Sequence, residues 1–539
     1  MEVNLLYFAV AVAVIAYIYH LLTRDHDYFL GKPIPSLAAK PLLGNTAALT
    51  LRQSSFSDLV KTLYDKFPGV LVHSRRVFGI FDTLTRTFVI RDPYLIKKIA
   101  VKDFEYFIDR RAFFGEGDDD NEDLLFSKTL VGLRGQKWRD MRATLSPAFT
   151  GSKMRAMFEL MVKYIHGMID ILRKEAAAVG FIEHEVKDLY SRVANDIIAT
   201  CAFGLQVESL QSRENEFYLK AKEMMGFNSI IVFLRMMAIR IFPKITTKLG
   251  IDVIGREHIR YFCKIIRDAV RTREAHGIVR PDMIHLLTQA RKGLLEHPQE
   301  ETEITEGFAT VNESDATKVA SNKKMTEIEL IAQCMIFFFA GFDTVSTEML
   351  FMSYELGLNP DVQQKLYEEI LETNSQLQGE PLTYDVLQKM KYMDMVVSET
   401  LRMWPAPAVD RQCLCDYTLD DGEGLKFTID EGACVWIPVH GIHRDPMCYP
   451  NPTKFDPERF SDTNRVNINM DAYMPFGIGP RNCIGSRFAL MEMKVIMYQL
   501  LLHFSLERTE QTQVPLQLLK GLLGLGTEKG AHLRLRLRQ

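Results

Sequence analysis

The sequence predicts a mainly α-helical protein with a small β portion, preceded by a single N-terminal transmembrane helix. Three observations carry this reading. Apolar residues recur at helical spacing along most of the 539 residues. Strand-like patterns are few and short. Residues 3–22, VNLLYFAVAVAVIAYIYHLL, contain no charge.

The elements follow in chain order. Twenty uncharged residues at helical rise span roughly 30 Å, the thickness of a bilayer's hydrocarbon core. Tyr7, Tyr17 and Tyr19 suit the interfaces. A cleavable signal peptide calls for a basic start and a small-residue cleavage site, whereas Glu2 opens this stretch. Arg24, Lys32 and Lys40 come after it, and the positive-inside rule leaves the chain beyond them in the cytosol. Residues 1–23 are therefore expected to be an uncleaved anchor. Residues 24–45 carry Pro33, Pro35 and Pro41 and read as a proline-rich hinge. No linker-like stretch or internal repeat divides the remainder, so 46–539 is expected to be one domain.

Within it, helical periodicity marks 151–175, 190–205, 255–275, 326–358, 361–375 and 390–402. Strand patterns mark 69–74, 77–82, 86–90, 434–439 and 532–538. Thr326 and Glu329 form a capping box that opens the longest helix, and Pro360 closes it. The middle of that helix is apolar on nearly every side, as a buried helix is. The polar, acid-rich stretch 297–324 reads as a solvated loop. Its sequon, Asn312-Glu313-Ser314, would stay unmodified on the cytosolic side.

A net charge of −4 gives no electrostatic footprint for nucleic acid. The eight cysteines include no C-x-x-C pair, which argues against a zinc site or a disulfide framework. One of them, Cys483, lies in PFGIGPRNCIGSRF, residues 475–488, among small and cationic residues just before a helical stretch at 487–501. A thiol at a helix N-terminus is favoured as the anion. A thiolate is a good ligand and electron donor for iron. Gly477, Gly479 and Gly485 allow close backbone approach, and Arg481 supplies a cation for a cofactor carboxylate.

FGIGPRNCIG, residues 476–485, resembles the cysteine-ligand loop F-G-x-G-x-R-x-C-x-G of the cytochrome P450 family of haem-thiolate monooxygenases. Other stretches resemble the same family. Glu399 and Arg402 in SETLRMWP look like its Glu-x-x-Arg pair, joined by Arg459 of FDPERF. Trp138 and Arg142 in KWRDMR, and Arg411 in VDRQC, look like its propionate-binding residues. AGFDTVS, residues 340–346, resembles its oxygen-activating helix.

The resemblance implies the cytochrome P450 fold and haem b with Cys483 as the axial metal ligand. Trp138, Arg142, Ala340, Gly341, Arg411, Phe476 and Arg481 would line the cofactor. Asp343 and Thr344 would deliver protons as an acid–alcohol pair. Ala340 and Gly341 would leave room for the flat cofactor, and the Thr344 hydroxyl would bond back one turn and loosen the helix. Glu399, Arg402 and Arg459 would form a buried network that fixes the cysteine loop. Phe113, Phe114 and Phe339 are expected to face substrate.

The resemblance further implies insertion of one oxygen atom from O2 into lipophilic small molecules. No flavin or nicotinamide motif is present, so electrons would come from an NADPH-dependent flavoprotein reductase. Lys137, Arg139 and Lys153 are candidate contacts, and cytochrome b5 is a further candidate partner. Residues 227–248 mix apolar and basic residues and are expected to touch the membrane surface. LRMWP and MPFGIGPRNCIGSRFALMEMK resemble insect microsomal members that oxidise xenobiotics such as insecticides, at the endoplasmic reticulum membrane with the catalytic domain in the cytosol. Other activities stay open on the same loop: a dedicated hormone or lipid hydroxylase, a haem-thiolate isomerase or dehydratase that needs no O2, and a haem-binding sensor or carrier.

Overall fold

The computed structural model describes residues 2–67, 76–111, 122–226, 229–293, 307–310, 325–521 and 526–538. The strand expected at 69–74, Phe113, Phe114, the Asn312 sequon and most of 297–324 lie outside the described residues. The chain divides into two compact units. The first comprises Met1–Arg111, Ala406–Ile442 and Leu519–Gly524, the second Ala112–Pro405, His443–Leu518 and Leu525–Gln539.

The first unit is built on a sheet of β1 (Val77–Asp82), β2 (Thr85–Ile90), β7 (Cys434–Ile437) and β4 (Val409–Gln412), in the order β1-β2-β7-β4. The β2–β7 pair is parallel and the other two pairs are antiparallel. Leu49, Leu59, Leu63, Phe78, Ile80, Val89 and Trp436 pack its core. A small hairpin of β5 (Tyr417–Asp420) and β6 (Lys426–Ile429) belongs to the same unit. The strand expected at 434–439 stops at Ile437, because Pro438 has no N–H for the ladder and the chain turns into the helix Val439–His443.

The segment 24–45 runs along β1. Leu37 N donates to Gly79 O (3.1 Å), Gly79 N to Pro35 O (2.8 Å) and Asn45 N to Phe81 O (2.7 Å). Phe29 fills the space a Cβ on Gly79 would need, 2.4 Å from that position. Pro35 thus offers its carbonyl to the edge of β1, whereas Pro41 sits in a turn. Before this segment, Glu2–Thr23 forms a 22-residue helix whose Leu6, Tyr7, Phe8, Val12, Ile15 and Tyr17 are exposed.

The second unit is helical, with one sheet of β3 (Phe181–Glu185), β9 (His532–Leu537) and β8 (Phe504–Arg508). Its helices include Gly151–Ala176, Val186–Ile198, Arg256–His276, Glu327–Leu358, Pro360–Gln376, Lys391–Met403 and Ser486–His503. The helix expected at 190–205 begins earlier, at Val186. Glu185 caps it by accepting from Lys187 N and Asp188 N. It passes into a wider turn at Ala199–Phe203 and ends at Gly204, whose φ of 69° suits a residue without Cβ.

Thr326 and Glu329 make the expected capping box. Among the described residues, Glu327–Leu358 is the one helix long and apolar enough to cross a membrane, but most of it is buried inside this unit, so it is a core helix. Phe338 sits in an aromatic cluster with Phe203, Phe217, Phe262 and Phe342, which explains an apolar middle without any lipid.

Candidate haem-thiolate site

The cysteine loop is shaped by its glycines. Gly477 and Gly479 take φ values of 79° and 74°, which side chains with a Cβ rarely adopt. The resulting turn is closed by Gly477 N to Met474 O (3.1 Å), Asn482 N to Gly479 O (2.9 Å) and Cys483 N to Phe476 O (2.9 Å). Gly485 then serves as the cap residue of the helix Ser486–His503. Cys483 is left exposed just ahead of a helix N-terminus, unlike Cys201, Cys263, Cys334, Cys413 and Cys434, which are buried. Burial pushes the thiols of Cys201 and Cys334 far above their ordinary range, as inert structural cysteines require.

Two guanidinium groups and an indole gather beside the loop. Trp138, Arg142 and Arg481 are 2%, 3% and 4% exposed. The helix Gly135–Leu145 places Trp138 and Arg142 one turn apart. Arg142 reaches into the loop, with Nη1 donating to Asn482 O (3.0 Å) and Nη2 to Asn482 Oδ1 (2.9 Å). Arg481 lies 4.1 Å over the Trp138 ring and donates to Leu130 O and Leu133 O. Sequence reasoning missed Asn482, the loop's receptor for Arg142, because the two lie 340 residues apart.

This donor set fits a flat anionic cofactor with a central metal: a thiol as ligand, and buried cations able to hold carboxylates in place. Arg411 lies in the other unit, on β4. It is fully buried and donates to Asp410 O (2.8 Å). Burial, then the charge of Arg110, brings its pKa down to about 9.

The long helix keeps one partly open face amid its buried turns. Ala340 and Thr344 are exposed, and Phe337, Phe339, Gly341 and Asp343 are half-buried, whereas Phe338, Phe342, Val345 and Ser346 are buried. The Thr344 hydroxyl donates to Ala340 O (2.6 Å), which is the expected back-bond. The expected loosening does not accompany it. The helix is continuous from Glu327 to Leu358, because buried neighbours hold the turn on both sides.

Gly341 also departs from expectation. A Cβ there would stand 2.8 Å from Ile198 Cδ1, so its missing side chain admits the helix Val186–Ile198. Phe339 packs edge-on against Phe126, and Phe337 against Phe149.

Asp343 and Thr344 are neighbours with separate partners. Asp343 Oδ1 accepts from Lys187 Nζ at 2.9 Å. The same ammonium donates to Asp343 O, Ser346 Oγ and Thr347 Oγ1. No local pattern links Lys187 to Asp343, 156 residues away.

Glu399, Arg402 and Arg459 meet in a buried knot. Arg402 grips Glu399 with two bonds, Nε to Oε2 (2.6 Å) and Nη2 to Oε1 (2.9 Å). Arg459 Nε and Asp456 N share Glu399 Oε1 at 3.3 and 2.8 Å. Arg402 Nη1 donates to His443 O (2.8 Å).

A second carboxyl is buried nearby. Glu355 accepts from Trp404 Nε1 (3.0 Å), and Trp404 stacks on Phe351 at 4.3 Å. Burial raises the Glu355 pKa to about 7 from an ordinary 4.5. The folded chain therefore binds this proton more tightly than the unfolded one. The contribution is fully present below the ordinary pKa and is lost as pH rises through about 7. Glu355→Gln keeps an acceptor for Trp404 and should flatten that decline. Denaturant unfolding of both proteins across this range checks it, and parallel curves count against it.

A family model described as "Cytochrome P450" matches residues 35–534. "Probable cytochrome P450 9f2" of Drosophila melanogaster is 40% identical over 98% of each chain. "Cytochrome P450 9e2" of Blattella germanica is 40% identical over 97% of each. "Probable cytochrome P450 6a14" of Drosophila melanogaster is 34% identical over 96% of each. Similarity that runs nearly end to end, around a loop that exposes one thiol beside buried arginines, means that the chain belongs to the cytochrome P450 family of haem-thiolate monooxygenases.

Proposed function

We propose that this monooxygenase inserts one oxygen atom from O2 into lipophilic xenobiotics, insecticides among them, using electrons from an NADPH-dependent flavoprotein reductase. The observation that carries the reading is the exposed Cys483 thiol in its glycine-shaped loop, with Arg142 and Arg481 buried beside it. Bound haem b would supply dioxygen binding and activation. Cys483 Sγ would hold the iron, and Arg142, Arg481 and Trp138 would hold the carboxylates. Phe476 would close the thiol side of the cofactor, and Ala340 would border the oxygen side.

Thr344 and Asp343 would move protons. The Thr344 hydroxyl now donates to Ala340 O and must turn outward to donate elsewhere. Asp343 Oδ1 is held by Lys187, so recharging the relay requires that ion pair to loosen. Thr344→Ala removes the hydroxyl without disturbing a buried contact. It should leave haem binding intact and lower the product formed per NADPH, with peroxide released instead. A general acid's usual share, about 100-fold or more, bounds the loss of product rate. Unchanged coupling would remove Thr344 from the relay.

The substrate pocket would be apolar and aromatic, with Phe339 on its wall. A panel of lipophilic compounds separates a broad xenobiotic oxidase from a dedicated hormone or lipid hydroxylase, which would turn over one of them.

The remaining assignments belong to the same proposal. Residues 1–23 anchor the chain in the endoplasmic reticulum membrane, 24–45 connect, and 46–539 form the haem-binding domain in the cytosol. The exposed apolar side chains of the helix Glu2–Thr23 support the anchor. Ile231, Leu234, Phe242 and Ile245 are exposed along Ile230–Lys248 and would lie on the same bilayer. Lys137 is exposed and Arg139 and Lys153 half-buried, as contacts for an acidic reductase or cytochrome b5 face.

A further inference from the structure

His443 lies between the Glu399–Arg402 pair and the start of the cysteine loop. Its ring is fully buried. Met474 N stands 3.1 Å from Nε2. A backbone N–H can only donate, so Nε2 is the unprotonated, accepting nitrogen. The proton then resides on Nδ1 and is donated to Arg402 O at 3.2 Å. One neutral tautomer satisfies both sides. Burial, then the charge of Arg402, pushes the imidazole pKa down to about 3, so the ring stays neutral.

The ring is also fixed in orientation. It stacks on Tyr473 at 5.6 Å with 16° between planes, and meets Tyr449 edge-on at 5.9 Å. Tyr473 OH donates to Ser398 O (3.0 Å), the residue before Glu399. The His443 carbonyl accepts from Arg402 Nη1. From Met474, two turn bonds lead to the thiol: Gly477 N to Met474 O, then Cys483 N to Phe476 O.

We propose that His443 is a positioning residue for the cysteine loop: its imidazole is a rigid two-ended spacer that sets the distance from the Arg402 carbonyl to the Met474 amide, and so where Cys483 stands. The proposal rests on the reading of Cys483 as the haem ligand, and its test separates the two.

Three substitutions split the ring's two bonds. His443→Phe keeps the flat shape and the stacking but makes neither bond. His443→Asn keeps a donor near the Nδ1 position and cannot reach Met474. His443→Gln places an acceptor near the Nε2 position. Two readouts are taken on the haem-loaded protein: hydrogen exchange at the Met474 amide, and the Soret band of the reduced protein with CO. His443→Phe and His443→Asn should exchange Met474 about five- to tenfold faster, the value of one lost hydrogen bond. Both should convert part of the strongly red-shifted CO band to the shorter-wavelength band of a protonated or displaced thiolate. His443→Gln should restore protection and most of the red-shifted band. Equal exchange and equal spectra for His443→Asn and His443→Gln overturn the spacer role, and this comparison stands even where His443→Phe does not accumulate. A wild-type protein without the red-shifted band overturns the thiolate reading instead, while the exchange arm still reads the spacer.

Discussion

Cys483→Ala protein, reduced and exposed to CO, should show none of the strongly red-shifted Soret absorption of a haem thiolate, and no oxygenation. The loss is expected to be complete, because the metal bond comes from one atom. The scaffold should survive the change. Cys483 is exposed, so trimming its Sγ leaves no cavity in the packing. The loop's turn bonds run through backbone atoms, which alanine retains. Haem-free wild-type and Cys483→Ala chains should thus unfold at the same denaturant concentration while differing entirely in CO spectrum. A persistent red-shifted band in the variant would remove Cys483 as the ligand and, with it, the proposed site.

Glu399→Ala should have the largest effect on stability. Glu399 and Arg402 are both fully buried, and Arg459 completes the knot. Removing the carboxylate leaves guanidinium groups without their counter-charge in a medium that solvates them poorly. Breaking a buried pair from one side costs ~3–5 kcal/mol. Stability of a folded domain is about 5–15 kcal/mol, so much of it would go. Arg402→Lys keeps the charge and loses the two-pronged grip, and should fall between wild type and Glu399→Ala. The exposed pair Lys391–Asp462, at 2.9 Å, is the control, since solvent screens it and Lys391→Ala should barely move the unfolding midpoint. Urea unfolding of the haem-free chains measures all of these. A Glu399→Ala midpoint no lower than that of the control would show that the knot does not hold this region.

The parts legible in the sequence are those whose cause is local. Helix positions followed from apolar spacing over a few turns, and the capping box at Thr326 from two residues three apart. The strands β1, β2 and β9 followed from runs of five or more suitable residues. β4, β5 and β6 have four residues each; β4 is completed by β7, and β5 and β6 complete each other as a hairpin. A strand that short is held by its neighbour's hydrogen bonds rather than by its own pattern. The change of turn after Ile198 was equally hidden, since the apolar run continues evenly while the backbone widens over Ala199–Phe203 before it ends at Gly204.

The sequence by itself determined the identity of the chemistry: ten consecutive residues around Cys483 fix a turn, a thiol and a cation, because glycine conformations and near-neighbour bonds need nothing from outside the loop. Tertiary structure decided the partners. It put Lys187 on Asp343, Asn482 under Arg142, Ile198 against Gly341 and His443 between Arg402 and Met474. Each of these joins segments 30 or more residues apart, the nearest being His443 and Met474 at 31. Such pairs arise only when helices pack, because a hydrogen bond or a contact requires the approach of two surfaces that no local spacing encodes.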